Sequence, residues 1–136
     1  MSHYTECKTA FKSKEALIKA LIERGWTKDK IEVHDQAVKL VGYRGDERAT
    51  KANIVIRRVH VGAASNDIGF RREENGTYTA VVSDYDRHKY GGAWMKQLKQ
   101  SYTKNVSIMK LKGMGCMVTE HKNKEGQAVI IGFLPG

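Results

Sequence analysis

The sequence predicts an α+β fold in one domain spanning residues 1–136, a mostly antiparallel sheet of about six to eight strands with two helices packed on one face. Three features lead there. Two stretches, one early and one late, repeat apolar residues at helical spacing. Between them run short apolar segments broken by turn residues, and the chain closes on two such runs around a Gly-containing turn.

Alternation over residues 4–11 predicts the first strand. Ser13 then offers a side-chain oxygen to the free amides of a helix over 13–24, where Leu17, Ile18, Leu21 and Ile22 share a face. Gly25 can take the left-handed conformation that stops this helix and folds Trp26 back near Leu21. Residues 31–34 and 37–43 predict short strands around Asp35 and Gln36, and 44–48 a polar loop. A further strand is expected over 52–61. Its apolar parity changes from Ile54 and Ile56 to Val59 and Val61, which marks a bulge at Arg57 and Arg58. Residues 68–70 and 78–82 flank Asn75 and Gly76, a dipeptide that supplies the positive φ angles of a tight hairpin turn. After a polar loop over 83–92, Trp94, Leu98, Tyr102, Val106 and Met109 recur at helical steps, and Gly113 and Gly115 end this second helix. A last hairpin pairs 116–121 with 128–134 around a turn at 123–126. With both helices on one side, the other face of the sheet is left to solvent or to a partner.

Charge is concentrated in one region. The chain carries a net charge of +9, yet residues 1–86 contain 15 Lys/Arg against 13 Asp/Glu, and 120–136 are balanced. Residues 87–119 hold Arg87, Lys89, Lys96, Lys99, Lys104, Lys110 and Lys112 without one acid, so this segment supplies most of the excess. At ~100° per residue the lysines 96, 99, 104 and 110 fall on one arc, opposite Trp94, Leu98, Tyr102 and Met109, and are expected to face outward together. Such an arc suits phosphate backbones, whose counterions are released on contact. An ordinary solvated helix face is the alternative. The pairs Arg57–Arg58 and Arg71–Arg72 read as ion-pair partners for Asp67, Glu73 or Glu74.

Motifs that would carry chemistry are missing from the sequence. The five histidines are scattered and no His-Glu-x-x-His or Cys-x-x-Cys spacing occurs, so neither a metal nor a cofactor is indicated. The one conceivable metal set joins His3 and Cys7 to Cys116 and His121, should the first strand lie beside the closing hairpin. Lys112-Gly113-Met114-Gly115 follows a helix instead of preceding one, which makes it a helix stop and not a phosphate loop. No apolar run approaches the ~20 residues of a bilayer crossing, and residues 1–8 lack the apolar centre of a signal peptide. The expected location is therefore the cytoplasm or an equivalent reducing compartment, with Cys7 and Cys116 as free thiols.

Asn66-Asp67-Ile68-Gly69-Phe70 reads as structural: the Asx pair enters a strand, Ile68 and Phe70 face the core, and Gly69 admits a close neighbour. With Met1-Ser2-His3, an early Lys-Thr, the helix around 98–102 and the turn Gly115-Cys116-Met117-Val118, this motif resembles the hypothetical chloroplast open-reading-frame thirty-five family. These are conserved hypothetical proteins of algal plastids and cyanobacteria, also present in other bacteria and phages. The resemblance implies a small stand-alone α+β fold and transfers no activity, cofactor or site. The plastid members have a less basic second-helix region, which makes the acid-free segment a local specialisation.

Three functional classes remain open. The first is a non-enzymatic binding module that contacts an anionic macromolecule, nucleic acid or a nucleoprotein complex, through Arg87, Lys89, Lys96, Lys99, Lys104 and Lys110. The alternative is a protein adaptor or assembly subunit that docks a protein partner or a second copy through the open sheet face, an exposed edge or a symmetric self-contact. An enzyme would have to assemble its site from His60, Asp67, His88 and Cys116, since no catalytic set is written locally.

Overall fold

The computed structural model describes residues 3–135; Met1 and Ser2, which open the family resemblance, lie outside the described residues. The elements follow the predicted order of strand, helix, strands, helix and hairpin. Helix α1 (Lys14–Glu23) starts where Ser13 was placed as its cap, the hydroxyl accepting from the Ala16 amide at 3.1 Å. It buries Ala16, Leu17, Ala20 and Leu21, and it stops at Gly25, whose φ of +126° lets the Trp26 amide turn back to the Leu21 carbonyl.

Strands β1 (Tyr4–Lys8), β2 (Ile31–Val41), β3 (Glu47–Ile56), β4 (Ile68–Arg72) and β5 (Tyr78–Ser83) form one antiparallel sheet in the order β1-β5-β4-β3-β2. The β4–β5 hairpin falls where Asn75–Gly76 was predicted to turn the chain, though only Gly76 takes positive φ, at 85°. Asn75 keeps negative φ and uses its side chain instead, accepting from the Thr77 amide at 3.0 Å.

The bulge expected at Arg57 and Arg58 lies elsewhere. Strand β3 ends at Ile56, and residues 58–60 form a 3-10 turn. The two short strands predicted over 31–43 are one long strand, and its register against β3 jumps between Val33 and Val38 while β3 advances only from Ile54 to Ala52. Asn53 fills the opening: its amide donates to the carbonyls of His34 and Asp35, and its carbonyl oxygen accepts from the Arg72 amide at 2.9 Å. A fully paired ladder needs no such side chain, so the single asparagine satisfies the backbone groups that the bend releases.

This bend determines what covers each face of the sheet. Ile54, Ile56, Ile68, Phe70, Ala80 and Val82 share a core with Leu17 and Leu21 of α1 and with Leu98 of a later helix, the one-sided helix packing that the sequence predicted. On the opposite face Leu40, Ala52, Val55 and Val81 form a second, smaller cluster, because the ribbon beyond the bend lies across the sheet. A Cβ on Gly69 would sit 2.5 Å from that of Ala52 and 3.1 Å from a Leu40 methyl, so only glycine permits the crossing. The face expected to be open is thus partly closed by the chain itself.

The remaining elements are the short helix α2 (Arg87–Tyr90), the long helix α3 (Gly92–Gly113), and strands β6 (Met117–Lys122) and β7 (Ala128–Phe133), which pair only with each other among the described residues. The seven strands among the described residues are therefore divided between two sheets. Helix α3 has 22 residues and is about 33 Å long, so it runs well past the sheet core and carries the closing hairpin with it. Its N-terminal half is anchored by buried Leu98 and by Tyr102, whose hydroxyl accepts from the amides of Lys12 and Ser13 at 2.8 and 2.9 Å. No helix among the described residues is long and apolar enough to cross a membrane.

Candidate anion-binding surface

The basic segment begins at a sharp corner. Gly91, with φ −95° and ψ −138°, separates α2 from α3, and a Cβ there would lie 2.2 Å from the Arg87 carbonyl oxygen. The corner buries Tyr90, which packs against Trp26 and Trp94 and so leaves its charged neighbours on the outside. Arg87 is exposed and 3.9 Å from the equally exposed Asp84, a pairing of small consequence in water. The Lys89 ammonium lies 5.4 Å from the Tyr90 ring centroid.

Lys96 and Lys99 lie on the exposed side of α3 as expected. They line an open cleft of about 1250 Å³ between α3 and the β6–β7 hairpin, together with Gln100, Thr103 and Ser107. Arg24 at the end of α1 also lines it, its Nη1 donating to Gln97 at 3.2 Å while its buried Nε has no acceptor among the described residues. Neither Lys96 nor Lys99 forms an ion pair among the described residues. Lys110 is exposed on the same helix, beyond the cleft.

Lys104 departs from the expected outward arc. Its side chain is only 16% exposed, and its ammonium lies 2.5 Å from Glu23 of α1 and 2.9 Å from Glu120 of β6. Burial favours the neutral amine, but the hydrogen bonds to the two carboxylates outweigh it and raise the pKa above the usual lysine value. Two carboxylates already satisfy this charge, so Lys104 ties the hairpin to the body of the protein. The helical wheel puts it on the edge of the arc that faces β6, and nothing local in the sequence announces partners so distant along the chain.

In the other basic pairs Arg57, Arg58 and Arg71 are engaged, while Arg72 is exposed. Arg57 bonds Glu32 and Asp67, each at 2.8 Å, and Arg71 reaches Glu6 at 2.6 Å and Glu73 at 2.9 Å. Arg58 donates to the carbonyls of Ser65 and Ala63. Asp67, fully buried, accepts from the Val41 amide at 2.7 Å, the Arg58 amide at 2.6 Å and the Arg57 guanidinium. Beside it, Asn66 accepts from the Tyr43 amide and donates to Ser83 Oγ, both at 2.9 Å, and its backbone amide bonds Asp86 at 2.9 Å. Burial, with the nearby carboxylate of Asp67, pushes the Tyr4 phenol well above its usual pKa, and its hydroxyl has no partner among the described residues.

The four residues named for a dispersed enzyme site fall on separate parts of the fold. His60 lies on the 3-10 turn, Asp67 before β4, His88 on α2 and Cys116 between α3 and β6. His88 is engaged by the Tyr85 carbonyl. Cys7 and Cys116 are free thiols, as expected. Strand β1 pairs with β5 in the main sheet whereas β6 belongs to the hairpin on α3, so the conceived set of His3, Cys7, Cys116 and His121 is not adjacent by pairing, and the described residues contain no group of three or more metal-ligating side chains.

Fold and surface together define a small α+β protein, with a five-stranded sheet, a separate hairpin and a basic helix bordering an open cleft. Residues 27–131 match the family described as protein of unknown function (DUF1257), and the chain belongs to that family. The matched span includes the 66–70 motif and the whole acid-free segment. No curated protein and no solved structure matches the chain.

Proposed function

We propose that the protein is a non-enzymatic, single-domain binding module of a reducing compartment such as the cytoplasm, contacting nucleic acid or a nucleoprotein complex through Arg87, Lys89, Lys96, Lys99 and Lys110. Its family likeness extends, in this reading, to the conserved hypothetical proteins of the chloroplast open-reading-frame thirty-five group. The carrying observation is that Lys96 and Lys99 stand exposed on the wall of an open cleft without a carboxylate in ion-pair range among the described residues. Cations left unpaired in a chain that neutralises Arg57, Arg71 and Lys104 internally are available to phosphates. Amide and hydroxyl side chains line the cleft beside them, with Glu23 and Glu120 already paired to Lys104 and Glu125 on the hairpin turn at its far wall, a lining that suits sugar and phosphate oxygens better than base stacking.

The test is binding of generic single- and double-stranded DNA across a salt series. About five neutralised phosphates give a log-log salt slope of roughly −3.5 on single strands and −4.5 on duplex. Lys96→Glu/Lys99→Glu should abolish most of the binding and flatten the slope. Equal binding by both proteins, or a flat salt series in the wild type, would sink the reading. Adaptor function remains the second reading, and it is favoured by Met117, Ile131 and Phe133, which stand exposed on the β6–β7 hairpin.

A further inference from the structure

Cations reach the cleft from outside the acid-free segment as well. Lys122 is the last residue of β6, and alternation along the strand puts it on the same face as Val118 and Glu120. That face is turned to α3: Glu120 meets Lys104 at 2.9 Å, and a Cβ on Gly132, the partner of Val118, would lie 2.9 Å from a Leu111 methyl. Lys122 therefore lines the cleft from the hairpin wall, while Lys96 and Lys99 line it from α3.

Arg24 adds a third element, since it directly follows α1. Gln97 of α3 accepts from its Nη1 at 3.2 Å, a neutral amide that steers the guanidinium without cancelling its charge. A half-buried guanidinium with no carboxylate in ion-pair range among the described residues is costly to the free protein, and a phosphate that takes two of its N–H groups offsets that cost. Of the carboxylates lining the cleft, Glu23 and Glu120 are committed to Lys104. Arg24, Lys96, Lys99 and Lys122 are thus opposed by Glu125 alone among the described lining residues.

We propose that the cleft takes one unpaired strand of nucleic acid, its backbone held between Arg24, Lys96 and Lys99 on one side and Lys122 on the other, an inference that rests on the nucleic-acid reading above. Cations on facing walls reach around a single chain of phosphates, the groove that single-strand binders use. A duplex is too broad to enter between them, its major groove alone being about 12 Å across. It is left with Arg87, Lys89 and Lys110, which lie outside the cleft. At about 1250 Å³ the space exceeds the ~1,000 Å³ of a large small-molecule pocket, so it holds several linked nucleotides. No aromatic side chain is among the described lining residues, so the backbone is gripped with little regard to base.

Fluorescence anisotropy with a labelled oligothymidylate of about twelve nucleotides, and with a duplex of the same length, reads the difference over a salt series. The wild type should bind the single strand roughly tenfold or more tightly than the duplex. Arg24→Gln and Lys122→Gln should each weaken single-strand binding roughly three- to tenfold and lower its salt slope by about 0.7, with duplex binding little changed. Lys28→Gln, an exposed charge away from the cleft, controls for net charge and should leave the slope as it is. Far-UV circular dichroism checks folding; should Arg24→Gln be destabilised at the end of α1, the exposed Lys122→Gln still decides. Equal affinity for both probes, or an unchanged single-strand slope in folded Lys122→Gln, overturns the proposal and leaves the anion-binding reading standing. A wild type that binds neither probe overturns both.

Discussion

Asp67 is surrounded by donors, two backbone amides and the Arg57 guanidinium, and without it the two amides would lose their acceptor while Arg57 keeps Glu32. Its neighbour Asn66 holds the Tyr43 amide, so the two side chains fasten residues 41 and 43 of the crossing ribbon to the start of β4. Ile68 and Phe70 then face the helix-covered core, while Gly69 passes under Leu40 and Ala52. Every position of the Asn-Asp-Ile-Gly-Phe motif thereby has a structural duty. Asp67→Ala should cost about 2–4 kcal/mol, because it takes the acceptor from the Val41 and Arg58 amides. Gly69→Ala should cost about 1–3 kcal/mol through overpacking against Ala52. Urea midpoints measure both, and an unchanged midpoint for Gly69→Ala would contradict the close approach.

The α3–hairpin unit is the least supported part of the fold. Its C-terminal half carries β6 and β7 and is tied back to α1 at Glu23, which accepts from Asn105 at 2.9 Å and pairs with Lys104, itself also paired with Glu120 of β6. Removing one partner of this partly exposed pair is worth about 0.2–1 kcal/mol. Glu120→Gln should therefore speed amide exchange in β6 and β7 by up to about fivefold, with the five-stranded sheet unaffected. Uniform change over both sheets would mean that the hairpin does not open independently. At the other end of α3, Gly91 has no room for a side chain, and Gly91→Ala should loosen the corner that places Arg87 and Lys89 beside the helix.

Electrostatics link distant strands of the whole molecule. Hydrogen bonds from Arg71 hold the Glu6 and Glu73 carboxyls below their usual range, joining β1 to β4, and Arg57 does the same for Glu32, joining β2 to β3. A depressed carboxyl contributes stability that is complete above its unfolded pKa, near 4.5, and is lost as pH falls through the folded value. Protonation also adds to a charge that is already +9. The melting temperature should decline from about pH 5 to about pH 3, and more gently in Arg71→Met, which has less to lose. A pH-independent melting temperature over this range would show that these pairs contribute nothing.

Local order was legible because it depends on neighbours in the chain: Ser13 and Gly25 bracket α1, Gly76 turns the β4–β5 hairpin, and the spacing of Leu98 and Tyr102 sets the buried side of α3. The acid-free stretch and the structural reading of residues 66–70 were equally visible, since composition and residue type carry them. Contacts between remote segments were not. The bend at Asn53, the crossing of Leu40 over Gly69 and the capture of Lys104 by Glu23 and Glu120 join residues that only the folded chain brings together. Periodicity assigns a side chain to a face of its own element, but which neighbour covers that face depends on where helices end and ribbons bend. For that reason the basic residues could be named from the sequence, while the tertiary structure decided that Lys104 is spent internally and that Lys96 and Lys99 are left at the cleft.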